Sequence, residues 1–386
     1  MRRVLVAGGA MTRFGARPEP LRELVHEAAS EALRDAEVES REIDAVYFAS
    51  ALAGITDEQA GVLPAVLLRT VGIAGRPMLR IENACASGST ALAEAFWAVR
   101  NGRYRTVLVV GAEKMTQAGS AQAAKAMAGS TDAEFEGRVG LLAPAFFAMV
   151  ARRHMQEHGT TREQMAKVAV KNHANGAKNP KAHIQREVTL EQVLGSAPVS
   201  DPLQLLDCCP VSDGAAAVVV TAGPGGRRPP LVVAGSGVST AAFSSNPSMT
   251  SFSATRLAAN LAYSMAELTA RDVRWAEVHD CFTIAELLHY EDLQFCDPGA
   301  AGRLIEEGAT SLGGRLPVNP SGGLKSRGHP LGATGVAQVV EALGQLRGEA
   351  FGRQVADPSV ALVHTIGGIV RGEGAVAAVH ILTEAA

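Results

Sequence analysis

The segment Ile81-Glu82-Asn83-Ala84-Cys85-Ala86-Ser87-Gly88-Ser89-Thr90 places a single cysteine among small residues. A short apolar run, 77–81, precedes the cysteine, and the apolar spacing of 91–100 predicts a helix after it. Cys85 is therefore expected at a strand-to-helix turn, where the positive end of the helix dipole favours a thiolate over a thiol. A buried structural cysteine is the alternative, although the small neighbouring residues favour the close approach of a ligand.

Length and composition indicate a globular protein of two domains or two fused halves. The chain has 386 residues, of which 47% are hydrophobic and 19% are charged. A net charge of -3 gives no general electrostatic reason to bind nucleic acid or an anionic membrane. The sequence has neither a run of about 18 apolar residues nor a signal-peptide pattern at its start, so we expect no membrane span and no secretion.

The cysteines predict free thiols in a reducing compartment. There are five of them, an odd number, without a Cys-x-x-Cys pair or metal-ligand spacing: Cys85, Cys208, Cys209, Cys281 and Cys296. Disulfides and a zinc site built on these cysteines are therefore poorly supported, and a cytoplasmic location is expected.

Strands alternate with helices in the first and last thirds of the chain, which predicts an α/β protein with layered, mostly parallel sheets. Strands are predicted at the start of the chain and at 43–49, 104–111, 213–220, 231–234, 275–279, 360–365 and 375–381, and helices at 21–36, 57–69, 91–100, 143–156, 253–268, 283–295 and 332–347. Between them, residues from about 117 to 206 are predicted to be a mostly helical insertion that lies over the sheet.

The insertion is rich in basic residues. They are Lys167, Lys171, Lys178, Lys181 and Arg186. These side chains suit the phosphates of an anionic ligand, but a solvated basic face explains the same pattern and is the favoured interpretation.

Two stretches match in register and predict an internal duplication. In Cys85–Leu92 and in His329–Val336, a glycine stands three places after the lead residue and a threonine five places after it. Each stretch runs into an amphipathic helix and then a strand, so we interpret them as equivalent parts of a repeated α/β unit.

The duplication has a chemical consequence if the two halves pack about a pseudo-twofold axis. Cys85 and His329 then lie at equivalent helix N-termini that face one cleft. The helix dipole disfavours an imidazolium, so His329 is expected to be neutral and able to take a proton from the cysteine. Such a pair is an activated nucleophile, whereas His329 considered alone fits a capping role equally well.

A third group of polar residues, Glu277-Val278-His279-Asp280-Cys281-Phe282-Thr283, stands at the end of a predicted strand. The ends of parallel strands are where α/β folds place their ligands. His279 can donate a hydrogen bond and Cys281 can act as an acid or base. A satisfied histidine and a buried thiol explain these residues as well.

Four motifs of this chain resemble those of the thiolases and occur in the order that the family shows. Asn83–Gly88 resembles the nucleophile motif and Gly328–Gly335 the Gly-His-Pro motif, and Gly111–Met115 and Ser212–Ala216 resemble two further signatures. The likeness covers nearly the whole chain. The family members that it implies are acetyl-CoA acetyltransferases and 3-ketoacyl-CoA thiolases.

Two departures narrow the resemblance to one branch. The commonest thiolases carry Asn-Glu-Ala-Phe where this chain has His279-Asp280-Cys281-Phe282, and a second catalytic cysteine in a Cys-x-Gly motif where this chain has Thr365-Ile366-Gly367. The His-Asp-Cys-Phe form is similar to the sterol-carrier-protein-type and archaeal thiolases, in which that cysteine is thought to be the acid/base. The resemblance therefore moves Cys281 from a buried thiol to a catalytic one.

The resemblance implies duplicated α/β halves in a five-layered α-β-α-β-α arrangement with an inserted, mostly helical loop domain. The first half is expected at 1–116 plus 207–226, the CoA-binding loop domain at 117–206, and the second half at 227–386. A homodimer or homotetramer is implied, to whose contact surface Arg69 and 72–74 could contribute. A place in lipid and fatty acid metabolism is implied as well.

The implied reaction is CoA-dependent acyl transfer, either Claisen condensation of acetyl-CoA or thiolytic cleavage of 3-ketoacyl-CoA, through an acyl-cysteine. Cys85 is the implied nucleophile, His329 takes its proton, and Cys281 removes the α-proton. The side chains of His279 and His329 would hold the enolate oxygen, and the backbone amides of Cys85 and Gly367 the acyl oxygen. CoA and acyl-CoA are the expected ligands, with no metal and no tightly bound cofactor.

Three other functions fit parts of the pattern. Retro-aldol cleavage of a steroid or branched acyl-CoA usually comes with an altered cysteine and histidine set, whereas this chain has Cys85, Cys281 and His329. A ketoacyl synthase would pair its nucleophile with two histidines or with His and Asn. A non-catalytic lipid-binding or scaffold subunit, working with a small OB-fold partner, predicts no acyl transfer by the isolated protein.

Overall fold

The computed structural model describes residues 2–57, 59–118, 120–223, 225–244 and 247–385. The strands are β1 Leu5–Met11, β2 Ala45–Ala49, β3 Met78–Ile81, β4 Thr106–Glu113, β5 Pro198–Ser200, β6 Leu203–Gln204, β7 Gly214–Thr221, β8 Leu231–Thr240, β9 Trp275–Glu277, β10 Val360–Val370 and β11 Glu373–Glu384.

The helices follow the same order along the chain. They are α1 Leu21–Asp35, α2 Ala53–Thr56, α3 Leu63–Leu68, α4 Ser87–Arg100, α5 Ser120–Ala128, α6 Ala143–His158, α7 Arg162–Gly176, α8 Leu190–Leu194, α9 Ser253–Ala266, α10 Thr283–Asp292, α11 Ala301–Glu306, α12 Gly323–Ser326 and α13 Leu331–Leu346. Within the described ranges, no helix combines the length and the apolar character that crossing a membrane requires.

Nine strands form one sheet in the order β3-β2-β4-β7-β1-β8-β11-β10-β9. The link in its middle is short, because β1 and β8 pair only through Leu5 with Val232 and Val6 with Leu231. The sheet is therefore two half-sheets that meet along one narrow seam.

The pairing pattern repeats between the half-sheets. In the first, β1 and β4 are antiparallel to β7, while β2 is parallel to β4 and to β3. In the second, β8 and β10 are antiparallel to β11, β9 is parallel to β10, and Ala276 makes a parallel bridge to Val318 where β3 would lie. The predicted duplication is therefore present in the strand topology, but the expectation of mostly parallel sheets is wrong, because five of the eight neighbouring strand pairs in this sheet are antiparallel.

Three apolar clusters separate five layers. The outer cluster of the first half packs α1 and α3 on one face of its half-sheet. The middle cluster joins α4 and α13 to the inner faces of both half-sheets, and the third joins α9 and α10 to the outer face of the second. The predicted α-β-α-β-α arrangement is confirmed, and α5–α8 lie between β4 and β7 in the chain, as expected of an insertion.

The two middle helices meet at the glycines that the repeat placed in register. A Cβ atom on Gly88 would lie 2.7 Å from the carbonyl oxygen of Gly332, and one on Gly332 would lie 2.5 Å from the carbonyl oxygen of Ala49. Only glycine permits backbones to approach this closely. The contact brings the first turns of α4 and α13 together.

One predicted helix is wrong. The interval 57–69 begins just after the short helix α2 and contains a separate helix, α3, rather than one continuous helix. Val62 has a positive φ of 48° and Pro64 occupies the first turn of α3, so the chain starts a new helix there. The short helices α11 and α12 were not predicted, since six and four residues are too few for a clear helical period.

The glycine contact predicts opposite outcomes for two substitutions in α13. Gly332→Ala should lower the free energy of unfolding by about 1–3 kcal/mol or more, because the new methyl group overlaps backbone atoms that cannot move freely. At Gly344, no neighbouring atom lies within 4 Å of an added Cβ. Gly344→Ala should therefore raise the free energy of unfolding by about 0.5–1 kcal/mol, because alanine loses less conformational entropy than glycine in a helix. Urea unfolding of both variants measures the difference. Equal changes in the free energy of unfolding would contradict the close backbone contact at Gly332.

Candidate active site

A cavity of about 300 Å³ opens between the two halves and the insertion. The first half contributes Cys85, Met115 and residues 208–211, and residues between 127 and 147 of the insertion supply part of the wall. The second half contributes His279, Cys281, Phe282, His329, Leu331, Ile366, Gly368 and Ile369. Most of this lining is apolar, and the polar groups are a few thiols, hydroxyls and imidazoles. Such a cavity suits a mostly apolar ligand with one reactive polar group.

Cys85 lies at the predicted turn between β3 and α4. Hydrogen bonds hold this turn tightly: the Asn83 amide donates to Ser87 Oγ over 2.9 Å, and Ser87 Oγ donates to the Ala84 carbonyl over 2.6 Å. Ala84 has a positive φ of 47°. The turn is thus fixed in a conformation that presents Cys85 to the cavity.

Two histidines from the second half surround this thiol. One ligand atom each from Cys85, His279 and His329 lie within 4.8 Å of one another. The imidazole rings of His279 and His329 are edge to face, with their centroids 5.2 Å apart. The pairing of Cys85 with His329, which the repeat predicted, is therefore present in space.

Hydrogen bonds fix which nitrogen of His329 carries its proton. Thr334 Oγ1 donates its hydrogen to the Pro330 carbonyl over 2.9 Å. The 2.7 Å contact between Thr334 Oγ1 and His329 Nδ1 must then be donated by the histidine. Nε2 is left as the unprotonated nitrogen, which is the one able to accept a proton.

Burial sets the charge of both partners. It lowers the pKa of His329 to about 3, with a further contribution from Arg327, so the imidazole is neutral as predicted. Burial also raises the pKa of the Cys85 thiol, and nearby Cys209 and Glu113 raise it further. The prediction of a resting thiolate is therefore wrong, because loss of solvent outweighs the helix dipole.

The segment that carries Cys281 is anchored by its neighbour Asp280. Asp280 accepts a 2.6 Å hydrogen bond from the Leu324 amide and one of 2.7 Å from Asn172 Nδ2, which also donates to Glu286. Cys281 is 8% exposed and lines the cavity. Burial raises its pKa well above the usual range, so this thiol is also protonated at rest.

His279 offers the cavity an unsatisfied imidazole. Its side chain is 1% exposed, and Nδ1 has no hydrogen-bond partner among the described residues. Its pKa lies well below the usual value because of burial and then the neighbouring His329 and His289. A ligand oxygen in the cavity would meet a neutral imidazole here.

Gly367 packs behind Cys85, since a Cβ atom on it would overlap the Asn83 carbonyl oxygen. Its neighbours Ile366 and Gly368 line the cavity. Thr365 is fully buried and is not part of the lining, and its hydroxyl has no partner in the described structure.

A further thiol, to which the sequence assigned no role, also reaches the site. Cys209 lines the cavity, and its amide donates to the Cys281 carbonyl over 2.9 Å. Burial raises its pKa to about 12, and the buried Lys325 counteracts part of that shift. The only sequence signal was its position three residues before the Ser212–Ala216 motif.

The basic residues of the insertion do not line this cavity. Lys171, one of the candidates for phosphate binding, is buried, forms a 2.9 Å ion pair with Glu286 and donates to Asn172 over 2.7 Å. For Lys171 the favoured interpretation as part of a solvated basic face is therefore wrong, and the alternative of a phosphate contact is wrong as well, because the buried ammonium already holds α7 against α10. Lys181 lies on a separate groove with Glu341 and Arg353.

Known families match both parts of the chain. The family described as "Thiolase, N-terminal domain" matches residues 4–223, and "Thiolase C-terminal domain-like" matches residues 235–383. The acetyl-CoA acetyltransferase of Methanothermobacter thermautotrophicus is 44% identical over 99% of this chain and 100% of its own length. Human sterol carrier protein 2 is 35% identical over 95% of this chain and 70% of its own length.

Solved structures share the fold. The Ltp2-ChsH2(DUF35) aldolase has a TM-score of 0.82 and 27% identity, covering 99% of this chain and 98% of its own. Human mitochondrial 3-ketoacyl-CoA thiolase in complex with CoA has a TM-score of 0.76 and 21% identity over 100% of this chain and 98% of its own. The resemblance predicted from the motifs is confirmed.

The tautomer of His329 predicts the reactivity of Cys85. Thr334→Val removes the acceptor of the His329 Nδ1 proton, so Nε2 is no longer held as the acceptor, and alkylation of Cys85 by iodoacetamide at pH 7 should slow about 10-fold. Thr160→Val is the control, because Thr160 Oγ1 makes the same 2.7 Å contact with the Nδ1 of a histidine, His154, that does not line the cavity. Peptide mapping measures both rates. Equal slowing would argue against His329 as the proton acceptor.

Proposed function

The chain belongs to the thiolase family, and we propose that Cys85 is its nucleophile, His329 its first proton acceptor and Cys281 its acid/base. It is an acyltransferase that forms an acyl-cysteine, in Claisen condensation of acetyl-CoA or thiolytic cleavage of 3-ketoacyl-CoA. The observation that carries the assignment is the approach of Cys85, His279 and His329 within 4.8 Å, in a cavity that Cys281 also lines.

The first step follows from the protonation states. Cys85 and His329 are both neutral at rest, so the thiol proton moves to His329 Nε2 as the sulfur attacks the thioester carbon. Transfer during attack avoids a free thiolate in an apolar cavity, where the charge would lack solvation. The Thr334 hydroxyl accepts a hydrogen bond from Nδ1–H throughout and stabilises the imidazolium that forms.

The second thiol completes the proton balance. As the acyl-enzyme forms, the departing CoA sulfur takes the proton of Cys281, which leaves Cys281 as a thiolate. That thiolate then removes the α-proton of the second acetyl-CoA, and the enolate attacks the acyl group on Cys85. The returning Cys85 sulfur recovers its proton from His329. The reverse sequence cleaves 3-ketoacyl-CoA with free CoA.

Two oxygen atoms gain negative charge along this path. The side chains of His279 and His329 are proposed to hold the enolate oxygen, and the amides of Cys85 and Gly367 the acyl oxygen. Each such donor typically lowers a barrier by about 3 kcal/mol. The neutral imidazole of His279 in the cavity lining, edge to face with His329, supports its part in this arrangement.

CoA and acyl-CoA are the proposed ligands. The cavity wall from residues 127–147, including Met127, Leu142 and Phe147, supports the proposal that residues 117–206 hold the pantetheine arm. The volume of the cavity, about 300 Å³, is at the lower end of the range for small-molecule sites, and the end of the pantetheine arm would occupy part of it. Short acyl chains, with acetoacetyl-CoA as the 3-ketoacyl substrate, are therefore proposed.

Assembly and location are part of the same proposal. In the described sheet, β3 is an outermost strand with one edge unpaired; Leu79 within it is 50% exposed, and Val62, just before α3, is 74% exposed. An edge strand flanked by apolar side chains supports a homodimer built across β3, or a tetramer of such dimers. A cytoplasmic location is supported by five free thiols.

The second candidate is retro-aldol cleavage of a branched acyl-CoA with a small OB-fold partner. It is favoured by the likeness to the Ltp2-ChsH2(DUF35) aldolase. The presence of both Cys85 and Cys281 in one cavity favours acyl transfer instead, because retro-aldol cleavage needs no acyl-cysteine.

The roles of the two thiols are separable. Cys85→Ser should lower thiolysis of acetoacetyl-CoA by at least about 10³-fold and prevent acylation of the protein by acetyl-CoA. Cys281→Ala should stop condensation while still permitting slower acylation of Cys85, in which His329 returns its proton to the departing CoA; intact-protein mass spectrometry detects this as one added acetyl group. Cys296→Ala is the control, since Cys296 does not line the cavity. Condensation by the Cys281→Ala variant would place the acid/base elsewhere, and wild-type retro-aldol activity without thiolysis would select the second candidate.

The proposed dimer contact predicts the effect of a charge on the sheet edge. Leu79→Lys should convert the protein to monomers, because it places like charges opposite each other across the two β3 edges. Phe351→Lys is the matched control, as Phe351 is 80% exposed and lies in the loop after α13. Sedimentation velocity of both variants measures the change. A dimer that persists in the Leu79→Lys variant excludes β3 as the contact.

A further inference from the structure

A second group of metal-ligating side chains lies outside the active site. His154 and His158 are one turn apart on α6, and Glu291 is near the end of α10. One ligand atom from each lies within 4.8 Å of the other two. His154 is fully buried, Glu291 is 7% exposed, and His158 reaches solvent, so the group is open on one side only.

The distances suit a small divalent ion. Tetrahedral Zn²⁺ holds nitrogen and oxygen ligands at about 2.0–2.1 Å, which puts neighbouring ligand atoms roughly 3.3 Å apart. His154 Nε2 and Glu291 Oε2 are already 3.3 Å apart. The rings of His154 and His158 have centroids 4.7 Å apart. A modest inward movement of the solvent-accessible His158 would complete three ligands.

The surroundings orient the first two ligands. His154 Nδ1 is 2.7 Å from Thr160 Oγ1, a contact of the kind that fixes the other ring nitrogen toward a metal. Glu291 Oε1 accepts a 3.2 Å hydrogen bond from the Ala301 amide, which leaves Oε2 for the ion.

We propose that His154, His158 and Glu291 bind one Zn²⁺ ion, which joins α6 of the insertion to α10. Two imidazoles and one carboxylate are a ligand set that zinc prefers, with water in the fourth position. The ion would connect α6, whose first residues form part of the cavity wall, to α10, which begins two residues after Cys281. This site is independent of the acyl-transfer assignment.

Zinc binding to the active site must be kept out of the measurement, because Cys85, His279 and His329 also lie within 4.8 Å of one another. The experiment therefore uses tag-free Cys85→Ala protein, stripped of metal and supplied with ZnCl₂. After gel filtration, metal analysis should find one Zn²⁺ per chain, and zinc should raise the Tm.

Adding His158→Ala should remove both the bound ion and the rise in Tm. This variant should fold, since His158 lies at the surface. His26→Ala, another surface histidine, is the control and should keep both. Absence of bound zinc in the Cys85→Ala protein would overturn the proposal and leave His154 and Glu291 joined by a shared proton. Equal zinc retention with and without His158 would overturn it as well.

Discussion

The close approach of the Gly88 and Gly332 backbones is the contact on which the site depends. It lies in the middle layer, where both half-sheets cover α4 and α13, and it brings the first turns of these helices together. Two positive helix ends then meet in a region without solvent. The buried carboxyl group of Glu113 offsets the positive charge at these helix ends. It accepts hydrogen bonds from Ser50 Oγ and from the amides of Ala51, Leu52 and Gly332.

Burial makes the chemistry of this site one of neutral groups. The thiols of Cys85 and Cys281 have raised pKa values and His329 has a lowered one, so a separated charge pair is unfavourable in the empty cavity. In the proposed mechanism, proton transfer is therefore coupled to bond formation at the thioester, and the positions of hydrogen-bond partners such as Thr334 matter more than any single pKa.

Duplication explains why the two halves supply different groups with the same geometry. Thr90 and Thr334 each donate to the carbonyl four residues earlier, and each accepts a hydrogen bond from a side chain that precedes its helix. In the first half that donor is Asn83 beside the nucleophile, and in the second it is His329 itself. One scaffold thereby orients a thiol on one side and a base on the other.

The sequence alone determined the alternation of elements, the repeat, the turn at Cys85 and the pairing of Cys85 with His329, because local patterns and the periodic register encode them. It also identified Cys281 and His279 once the motifs were compared with a family. Only the tertiary structure decided the protonation of the thiols, the burial of Lys171, the presence of Cys209 in the cavity and the grouping of His154 with Glu291. Each of these depends on solvent exclusion or on contacts between distant segments, and the spacing of neighbouring residues encodes neither.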